Sequence, residues 1–413
     1  EGQLGDGTTT DRTSPTLVST SYTFNTTLGS GGGSSSSSSF AYANDKLALG
    51  YQHTCAILDT GDMKCWGGNV EGQLGDGSTT STWGNVPTTP IDLGTGRTAV
   101  AISAGYSHTC AILDTGEAKC WGSNNYGQLG DGSTVATNTP SSTAIDLGTG
   151  RTAVAISAGD YHTCAILDNG EAKCWGRDNQ GQLGDGGSNT DTNAPSSTAI
   201  DLGTGRTAVA ISAGTQNTCA ILDTGDLKCW GSDNNGQLGD GGSNTATGQP
   251  SSTAINLGTN RTAVAVSTGT YHTCAILDNG DLKCWGRNYF KQTGYSSSNI
   301  LEPRTDAVDL GSGRTVVAMS AGSAHTCAIL DNGSAKCWGQ STYGQLGYPN
   351  GCNNGCYASG AGPIDLGTGR TPVAVDTSAG SSDAKSCVIL DNGEAKCWGR
   401  DGGGSLGNTS SSA

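Results

Sequence analysis

The sequence has few of the features that most functional classes need. Only 14% of its residues are charged, and the formal net charge is −15. No apolar run approaches the roughly 20 residues of a membrane-spanning helix. No basic stretch offers the positive surface that nucleic-acid binding requires. We therefore expect neither a membrane span nor a nucleic-acid partner.

Catalytic signatures are missing as well. The only Gly-x-Ser-x-Gly match, at 403–407, belongs to the last Gly-Gln-Leu-Gly-like turn of the repeat, and the sequence contains no His-Glu-x-x-His pair, no phosphate-binding loop and no acid pair outside its repeats. Each of the five histidines recurs at the same place in a repeat, so none stands out as a dedicated base. We predict that the protein is not an enzyme and that it has no resident cofactor.

One short segment recurs seven times as Cys, an apolar run, Asp-(Thr or Asn)-Gly and Lys-Cys-Trp-Gly. Its centre predicts a hairpin turn with glycine third, where the backbone becomes left-handed. In the first copy this turn places Cys55 opposite Cys65, and opposed Cβ atoms lie about 4.5–5.5 Å apart, within reach of a disulfide. Both faces of the hairpin are apolar, so each sheet should be covered on both sides. The copies span 55–67, 110–122, 164–176, 219–231, 274–286, 327–339 and 387–399.

The cysteines are even in number and all fall into pairs. Zinc is the alternative, but zinc ligands usually come as close Cys-x-x-Cys pairs with a second pair nearby. Here the two members of a repeat pair lie on facing strands. We predict disulfides, and hence a secreted or cell-surface location. The predicted disulfide cysteines are Cys55, Cys65, Cys110, Cys120, Cys164, Cys174, Cys219, Cys229, Cys274, Cys284, Cys327, Cys337, Cys352, Cys356, Cys387 and Cys397.

The spacing of the repeats indicates the architecture. First cysteines follow one another by 53 to 60 residues. Between hairpins lie a Gly-Gln-Leu-Gly turn, a Ser/Thr-rich loop, a short segment such as 90–93 and an alternating segment such as 98–103. We predict four short antiparallel strands per unit and one all-β domain over 1–413, a seven-bladed β-propeller with one disulfide per blade. A β-solenoid is the alternative, but its coils are usually much shorter and lack local hairpins.

The repeat resembles that of the regulator of chromosome condensation family. Residues 121–130 read Trp-Gly-Ser-Asn-Asn-Tyr-Gly-Gln-Leu-Gly, and Ala-Gly-Tyr-Ser-His precedes them at 104–108. The resemblance implies a seven-bladed propeller. Members of the family include a nuclear exchange factor for a small GTPase and secreted bacterial inhibitors of β-lactamase. The paired cysteines, the acidic balance and the lack of an inserted wedge make this chain more similar to the secreted type. Function does not follow from the fold, so no functional residues are carried over.

The sequence departs from the repeat at two insertions and has one more Gly-Gln-Leu-Gly-like turn than it has hairpins. The insertions are a Gly/Ser-rich loop at 28–40 and a cysteine-containing loop at 348–362. Eight Gly-Gln-Leu-Gly-like turns accompany the seven hairpins, the first at 2–5 and the last at 404–407. Because a closed ring has room for seven, three arrangements stay open. Either end closes the ring and the other leaves it, or one end docks on a neighbouring molecule.

Residues that recur in successive blades should form rings around the propeller axis. The histidines could bind a metal, but we favour a structural hydrogen bond repeated in each blade. The lysines and arginines could select an anion, but we favour salt bridges between blades to the hairpin aspartates. Asp-rich turns such as 233–241 resemble calcium loops but lack EF-hand spacing, so we interpret them as turns and leave calcium as the alternative. The residues are His53, His108, His162, His272 and His325; Lys64, Lys119, Lys173, Lys228, Lys283, Lys336 and Lys396; and Arg97, Arg151, Arg206, Arg261, Arg314 and Arg370.

The leading hypothesis is a non-enzymatic structural or adhesive propeller, secreted or on the cell surface, that assembles through a terminal segment into an extracellular filament or appendage. The alternative is a soluble extracellular module that grips a protein or glycan with its loop face. The partner is then either another copy of the chain or an extracellular protein or glycan. Candidate anchors are Trp83, Tyr126, Tyr289, Phe290, Tyr295 and Tyr343, unless they are ordinary loop packing. Candidate glycosylation sites are Asn25, Asn260, Asn332 and Asn408, although such sequons also arise by chance.

Overall fold

The computed structural model describes residues 11–18, 23–24, 26, 45–82, 85–187, 189–242, 245–348, 355–378 and 384–407. Over these ranges the chain is almost entirely strands and turns, with 3₁₀ turns at Ala358–Gly360 and Gly402–Gly404. The strands are β1 (Arg12–Leu17), β2 (Leu47–Leu49), β3 (His53–Ile57), β4 (Met63–Gly67), β5 (Ala99–Ala104), β6 (His108–Leu113), β7 (Ala118–Gly122), β8 (Ala153–Ala158), β9 (His162–Leu167), β10 (Ala172–Gly176), β11 (Ala208–Ala213), β12 (Asn217–Leu222), β13 (Leu227–Gly231), β14 (Ala263–Thr268), β15 (His272–Leu277), β16 (Leu282–Gly286), β17 (Val316–Ala321), β18 (His325–Leu330), β19 (Ala335–Gly339), β20 (Pro372–Thr377), β21 (Lys385–Leu390) and β22 (Ala395–Gly399).

Seven antiparallel sheets confirm the seven-bladed β-propeller. The first six blades contain three strands each, in chain order from β2–β4 to β17–β19. The seventh contains four, in the order β1-β22-β21-β20. The prediction of four strands in every blade is therefore wrong for six of them.

The missing strand is reduced to contacts at its two ends. Within 90–93 the Ile91 amide donates to the Met63 carbonyl at 2.9 Å, and at the other end of β4 the Thr82 amide donates to the Gly67 carbonyl at 2.9 Å. Between these points, residues 85–90 run irregularly. Pro90 has no amide for a ladder, but Ala144 and Ala199 occupy its position in the next two blades and the segment there also touches the sheet edge without extending it.

The hairpin and its disulfide are confirmed in every blade. In the first copy Cys55 pairs with Cys65 and Ile57 with Met63, and Gly61 takes a φ of +83° as the turn requires. The paired cysteines have Cα atoms 4.0–4.1 Å apart in all seven hairpins. A local turn therefore fixes each cross-link before any contact with another blade is needed.

The hydrophobic core lies between the blades. Ile57 and Met63 pack against the second blade around Trp121, while Leu58 faces the other way and packs against the seventh blade around Ile389. Full burial of a side chain of this size stabilises a protein by roughly 1.5–3 kcal/mol. Each hairpin, apolar on both faces, is therefore covered on both sides, as predicted.

One backbone carbonyl joins each blade to the next. The Gln128 carbonyl accepts hydrogen bonds from Thr163 Oγ1 at 2.9 Å and from Trp175 Nε1 at 3.0 Å, both on the third blade. A methyl group on Gly130 would come within 2.5 Å of that indole nitrogen, so the Gly-Gln-Leu-Gly turn must end in glycine. Gln128 Oε1 also accepts from the Tyr126 amide at 3.0 Å, which closes the turn. We call this arrangement the latch.

The repeated histidines complete the latch, which confirms the predicted structural role. His108 Nε2 lies 3.0 Å from Thr163 Oγ1. Because the Thr163 hydroxyl hydrogen is donated to the Gln128 carbonyl, Nε2 must carry a hydrogen and donate it. Burial lowers the pKa of His108 to about 3, so the ring is neutral. The same contact, at 2.8–2.9 Å, joins His53 to Thr109, His162 to Thr218, His272 to Thr326 and His325 to Ser386.

Both ends of the chain contribute to ring closure. β1, which includes Pro15, lies at the sheet edge beside β22, where a proline costs no ladder bond. At the other end the Ser405 carbonyl accepts from Thr54 Oγ1 at 2.7 Å and from Trp66 Nε1 at 3.1 Å. Lys385 replaces the latch histidine, and its Nζ donates to two backbone carbonyls of the first blade at 2.8 and 2.9 Å.

The turn at 404–407 therefore docks on the chain's own first blade rather than on a neighbour. The other terminal copy of the eight turns, at 2–5, lies outside the described residues, as does the predicted loop at 28–40.

Replacing Thr163 by Val should destabilise the ring. The change leaves the His108 Nε2 hydrogen and one Gln128 lone pair without a partner in a buried site. We expect a loss of about 1–3 kcal/mol in the free energy of unfolding, measured by guanidinium unfolding with the disulfides intact. Thr163→Ser keeps the hydroxyl, as Ser386 does in the seventh blade, and is the matched control. Equal stability of the two variants would show that the hydroxyl contributes nothing.

Replacing His162 by Asn should flatten the dependence of stability on pH. The pKa of His162 is lowered by burial from 6.5 to about 3, so the unfolded chain takes up a proton that the folded chain refuses. The contribution of the neutral His162 ring to the free energy of unfolding is complete above the pKa of the unfolded state. It is lost as the pH falls toward the pKa of the folded state, by up to about 1.4 kcal/mol per pH unit. Asn217 already occupies this position in the fourth blade. Unfolding titrations across this window that gave the wild-type slope would contradict the assignment.

Candidate binding face

The two ends of the strands give the ring two different faces. In the second blade His108 pairs with Gly122 at one end, and Ile112 pairs with Ala118 at the other. The first end carries the Gly-x-x-His connections and the segments that follow each Trp-Gly; we call it the loop face. The second end carries the Asp-(Thr or Asn)-Gly hairpins and the Gly-Thr-Gly-Arg turns; we call it the turn face.

Four tyrosines and an arginine meet on the loop face over the first three blades. The Tyr51 and Tyr106 rings stack with centroids 4.3 Å apart and planes 11° apart. Tyr161 lies 5.4 Å from Tyr106 and 5.3 Å from Tyr126. The Arg177 guanidinium lies 4.7 Å from the centre of the Tyr126 ring and 5.4 Å from that of Tyr161. We call these five half-buried side chains the tyrosine cluster.

Backbone contacts between and within blades hold the cluster in place. The Tyr51 amide donates to the Tyr106 carbonyl at 3.3 Å, and the Arg177 amide donates to the Tyr161 carbonyl at 2.9 Å. Cation–π contacts of this kind contribute about 0.5–1 kcal/mol at exposed sites. The rings are therefore already ordered, and a partner that binds them avoids most of the entropy cost of ordering side chains.

The phenols of Tyr106 and Tyr161 stay neutral at physiological pH. Burial raises the pKa of Tyr106, and the neighbouring Tyr51 raises it further. Burial also raises the pKa of Tyr161, with the Asp160 carboxyl adding to the rise. The cluster thus offers apolar ring surface, hydroxyl donors and one guanidinium, a combination typical of protein-binding hot spots.

A second aromatic group lies on the loop face at the fifth blade. Tyr289 and Phe290 meet edge to face with centroids 4.8 Å apart. The Arg287 guanidinium lies 5.0 Å from the Tyr271 ring centre and 6.0 Å from that of Tyr289. Tyr289 is 71% exposed, so this group offers less preformed surface than the tyrosine cluster.

Four of the six predicted anchors lie on the loop face, namely Tyr126, Tyr289, Phe290 and Tyr343. The Arg400 guanidinium lies 4.8 Å from the Tyr343 ring centre. Tyr295, expected on the surface, is buried, and its hydroxyl donates to the Asp306 carbonyl at 2.9 Å. Tyr295 is therefore corrected to a packing residue. Trp83 lies outside the described residues.

Sequence reasoning missed most of the tyrosine cluster. Tyr51, Tyr106 and Tyr161 precede the latch histidines by one or two positions, and only Tyr126 was named as an anchor. The signal was present, because tyrosines in matching connections of adjacent blades must come close. Arg177 follows a Trp-Gly pair, which places it beside the same connections.

The turn face is occupied by local ion pairs. Arg97 and Asp114 flank β5 and β6 of one blade, so the prediction of salt bridges between blades is wrong. Each partner is about a third exposed, and such pairs contribute roughly 0–1 kcal/mol. The lysines bind backbone carbonyls instead of aspartates, as when Lys119 Nζ donates to the Leu93 carbonyl at 3.0 Å. The ion pairs, at 3.1–3.4 Å, are Arg97–Asp114, Arg151–Asp168, Arg206–Asp223, Arg261–Asp278, Arg314–Asp331 and Arg370–Asp391.

Two of the predicted glycosylation sites are exposed on the turn face. Asn332 lies in a hairpin turn, and Asn260 takes a φ of +57° at a turn position that other blades give to glycine. Asn25 and Asn408 lie outside the described residues. Glycosylation stays a prediction.

The cysteines and histidines are committed to structural roles. The histidines bind latch hydroxyls, and Cys356 is disulfide-bonded within the predicted loop at 348–362; its expected partner Cys352 lies outside the described residues. Over the described ranges, no three His, Cys, Asp or Glu side chains converge on a point that could hold a metal. No helix in that part of the chain has the length and apolarity to cross a membrane.

Comparison with known proteins places this geometry in a family. The regulator of chromosome condensation (RCC1) repeat matches residues 61–112, 116–166, 169–221 and 224–276. A second form of the repeat matches 45–73, 99–128, 153–182, 208–237, 263–292 and 316–345.

Similar proteins and structures agree with that match. The ultraviolet-B receptor UVR8 of Arabidopsis thaliana is 28% identical over 365 residues, covering 87% of this chain and 78% of the receptor. The structure of yeast RCC1 (Prp20) bound to Kap60 aligns with a TM-score of 0.68 at 19% identity, covering 86% of this chain and 80% of that chain. Prp20p of Saccharomyces cerevisiae aligns at 0.67 and 21%, covering 86% and 82%. The structural matches show the fold alone, and the repeat matches, which cover more than half of the chain, establish that the chain belongs to the RCC1 repeat family.

Proposed function

We propose that the protein is an extracellular, non-enzymatic binding propeller that holds a protein partner on the tyrosine cluster of its loop face. The observation that carries the proposal is the continuous series of ring contacts from Tyr51 to Arg177 across three blades. Tyrosine and arginine dominate binding energy in protein interfaces, because they combine large rigid surface with hydrogen bonding.

The two faces differ in a way that supports this choice. The turn face carries local ion pairs and two sequons, whereas the loop face carries the tyrosine cluster and the aromatic group of the fifth blade. A glycan on Asn260 or Asn332 would extend away from the loop face. A partner can therefore approach the cluster without meeting either one.

Relatives support a binding role. Prp20p has been studied for binding to Gsp1p and histones, and yeast RCC1 has been solved bound to Kap60. UVR8 is a receptor. Protein partners among these relatives support a protein-binding role for this chain.

The compartment is part of the proposal. Seven cross-strand disulfides persist only under oxidising conditions, which supports a secreted or cell-surface location. The partner is then an extracellular protein that presents apolar surface beside a carboxylate, which would meet the rings and Arg177. An aromatic face of this kind also suits a sugar, so a glycan partner is an outcome that the experiment must distinguish.

Substitution of the tyrosine cluster should abolish partner binding without unfolding the ring. Tyr106→Thr, Tyr161→Gln and Arg177→Ser install the residues that the fourth blade uses at the same positions, namely Thr215, Gln216 and Ser232. Loss of hot-spot residues typically costs 2 kcal/mol or more each, so we expect affinity to fall by more than about 30-fold. Interferometry would compare the variants on a partner captured from the source's extracellular fraction.

Glu117→Ser with Glu171→Ser changes the turn face alone and is the matched control. The control should bind like the wild type. Equal binding by the triple cluster variant, or loss of binding by the turn-face control, would contradict the proposal. Binding that survives protease treatment of the partner but not glycosidase treatment would identify a glycan instead.

A second candidate function is assembly into extracellular filaments through a terminal segment. The turn that forms the latch onto the first blade lacks a side-chain hydrogen bond that the other six turns have. Six turns use a Gln side chain to bind their own backbone, but Ser405 stands in the seventh and its Oγ is buried without a partner. The segment 2–5 has the full Gly-Gln-Leu-Gly sequence, so the same segment of a neighbouring copy would make a better latch.

Gln3→Ser should weaken assembly if this exchange occurs. Electron microscopy of the native, unreduced protein would show ordered polymers, and the variant would form fewer because its turn then matches Ser405. Ser405→Gln should have the same effect, since it improves the internal latch. Single rings for the wild type under all conditions would rule out the filament, leaving the binding propeller unaffected.

A further inference from the structure

An amide nitrogen sits among oxygens in the blades that follow the repeat most closely. Asn69 Oδ1 accepts from the Leu74 amide at 2.9 Å. Its Nδ2 lies 3.1–3.2 Å from four oxygens, namely Asp76 Oδ1, the Ser78 carbonyl and hydroxyl, and the Thr80 carbonyl. Two amide hydrogens are thus shared among four acceptors. The pocket is built for a positively polarised group.

The fourth blade puts a carboxylate oxygen where that amide stood. Asp233 occupies the position of Asn69, and its Oδ1 accepts from the Leu238 amide at 2.9 Å in the same way. Its Oδ2 replaces the amide nitrogen. The residue is 1% exposed, and this oxygen has no hydrogen-bond partner. A buried unpaired carboxylate oxygen is costly unless a cation or a proton meets it.

A second acid and a changed loop come with that replacement. Asp240 stands at the position of Asp76. Burial raises the pKa of Asp233, and the nearby Asp240 carboxylate raises it further. Gly242 stands where the first blade has Ser78. A methyl group on Gly242 would lie 3.1 Å from Asp240 Oδ1 and 4.0 Å from Asp233 Oδ2. The glycine therefore keeps open the space beside both carboxylates.

The third blade repeats the same changes. Asp178 replaces the asparagine, its Oδ1 accepts from the Leu183 amide at 2.9 Å, and the residue is 1% exposed. Its own amide donates to Asp191 Oδ1 at 2.8 Å. Asp185 is followed by a Gly-Gly pair, as Asp240 is. Two blades thus change the same central residue and the same loop together.

From this pattern we propose that the third and fourth blades each bind a divalent cation of the calcium class, held by Asp178 with Asp185 and by Asp233 with Asp240. The donors are all oxygens, which suits a hard cation and not zinc or copper. Two carboxylates per site leave the remaining positions to backbone carbonyls and water. Glycine-rich loops adapt to the flexible coordination of calcium more readily than to the strict octahedron of magnesium.

The first, second and fifth blades supply the control. Asn69, Asn124 and Asn288 fill the same pocket with an amide. Asp233→Asn and Asp178→Asn therefore convert the proposed sites to a form that the chain already uses. Each variant should fold and lose one site.

Calorimetric titration of the purified, disulfide-intact protein with Ca²⁺ should give two sites, with Kd on the order of 0.1–1 mM as in extracellular modules. Asp233→Asn should give one site, and Asp178→Asn with Asp233→Asn should give none. Terbium luminescence offers a second readout, because the fourth-blade loop touches an indole: Gly239 lies against Trp285. Mg²⁺ in place of Ca²⁺ should bind more weakly.

Thermal unfolding separates a cation from a proton on the unpaired oxygen. Ca²⁺ should raise the midpoint of the wild type and leave the double variant unchanged. In EDTA the Asp233→Asn variant should be at least as stable as the wild type, because the Asn amide donates where Asp233 Oδ2 is unpaired. An equal calcium shift in both proteins, or no calcium binding by the wild type at concentrations on the order of 10 mM, would overturn the proposal.

Discussion

The ring depends on a backbone carbonyl that accepts two side-chain hydrogen bonds from the next blade. A carbonyl oxygen has two lone pairs, so a hydroxyl and an indole can both be satisfied at one atom. At Gln128 the hydroxyl comes from the His-Thr-Cys motif and the indole from Lys-Cys-Trp-Gly. The three most repeated motifs of the sequence therefore meet at one point. That convergence explains why they stay nearly constant among the seven copies while the Ser/Thr loops vary.

The parts of the fold that could be predicted are those set by local sequence. The Asp-Thr-Gly turn fixes the register of each hairpin, and register fixes the disulfide, so Cys55 and Cys65 needed no tertiary information. Whether a fourth strand forms depends on the contacts that compete for the sheet edge, which local sequence does not determine. Lys119 Nζ donates to the Leu93 carbonyl, and Lys173 Nζ donates to the Leu147 carbonyl in the same way. The alternation of apolar and polar residues does not show whether such side-chain contacts will replace the backbone hydrogen bonds of a strand.

The candidate site was less predictable because it forms across blades. Tyr161 is displaced by one position relative to Tyr106 in its repeat, yet the rings meet because successive connections lie side by side. The prediction that Tyr295 is a surface anchor was wrong because this ring packs inside its own blade. It follows a turn in which Thr293 replaces the usual leucine, and its ring folds inward to reach the Asp306 carbonyl. Which aromatic faces solvent depends on the loop of the neighbouring blade.

Each of the seven hairpin disulfides closes a loop within one hairpin, with its cysteines ten positions apart. These seven bonds stabilise blades individually, and none of them joins one blade to another. A protease that cut the chain once between blades would leave fragments with every hairpin still cross-linked, associated only through latches and apolar packing. Whether the ring stays together after such a cut therefore depends on the non-covalent contacts between blades. The disulfides keep each hairpin intact but do not hold the ring closed.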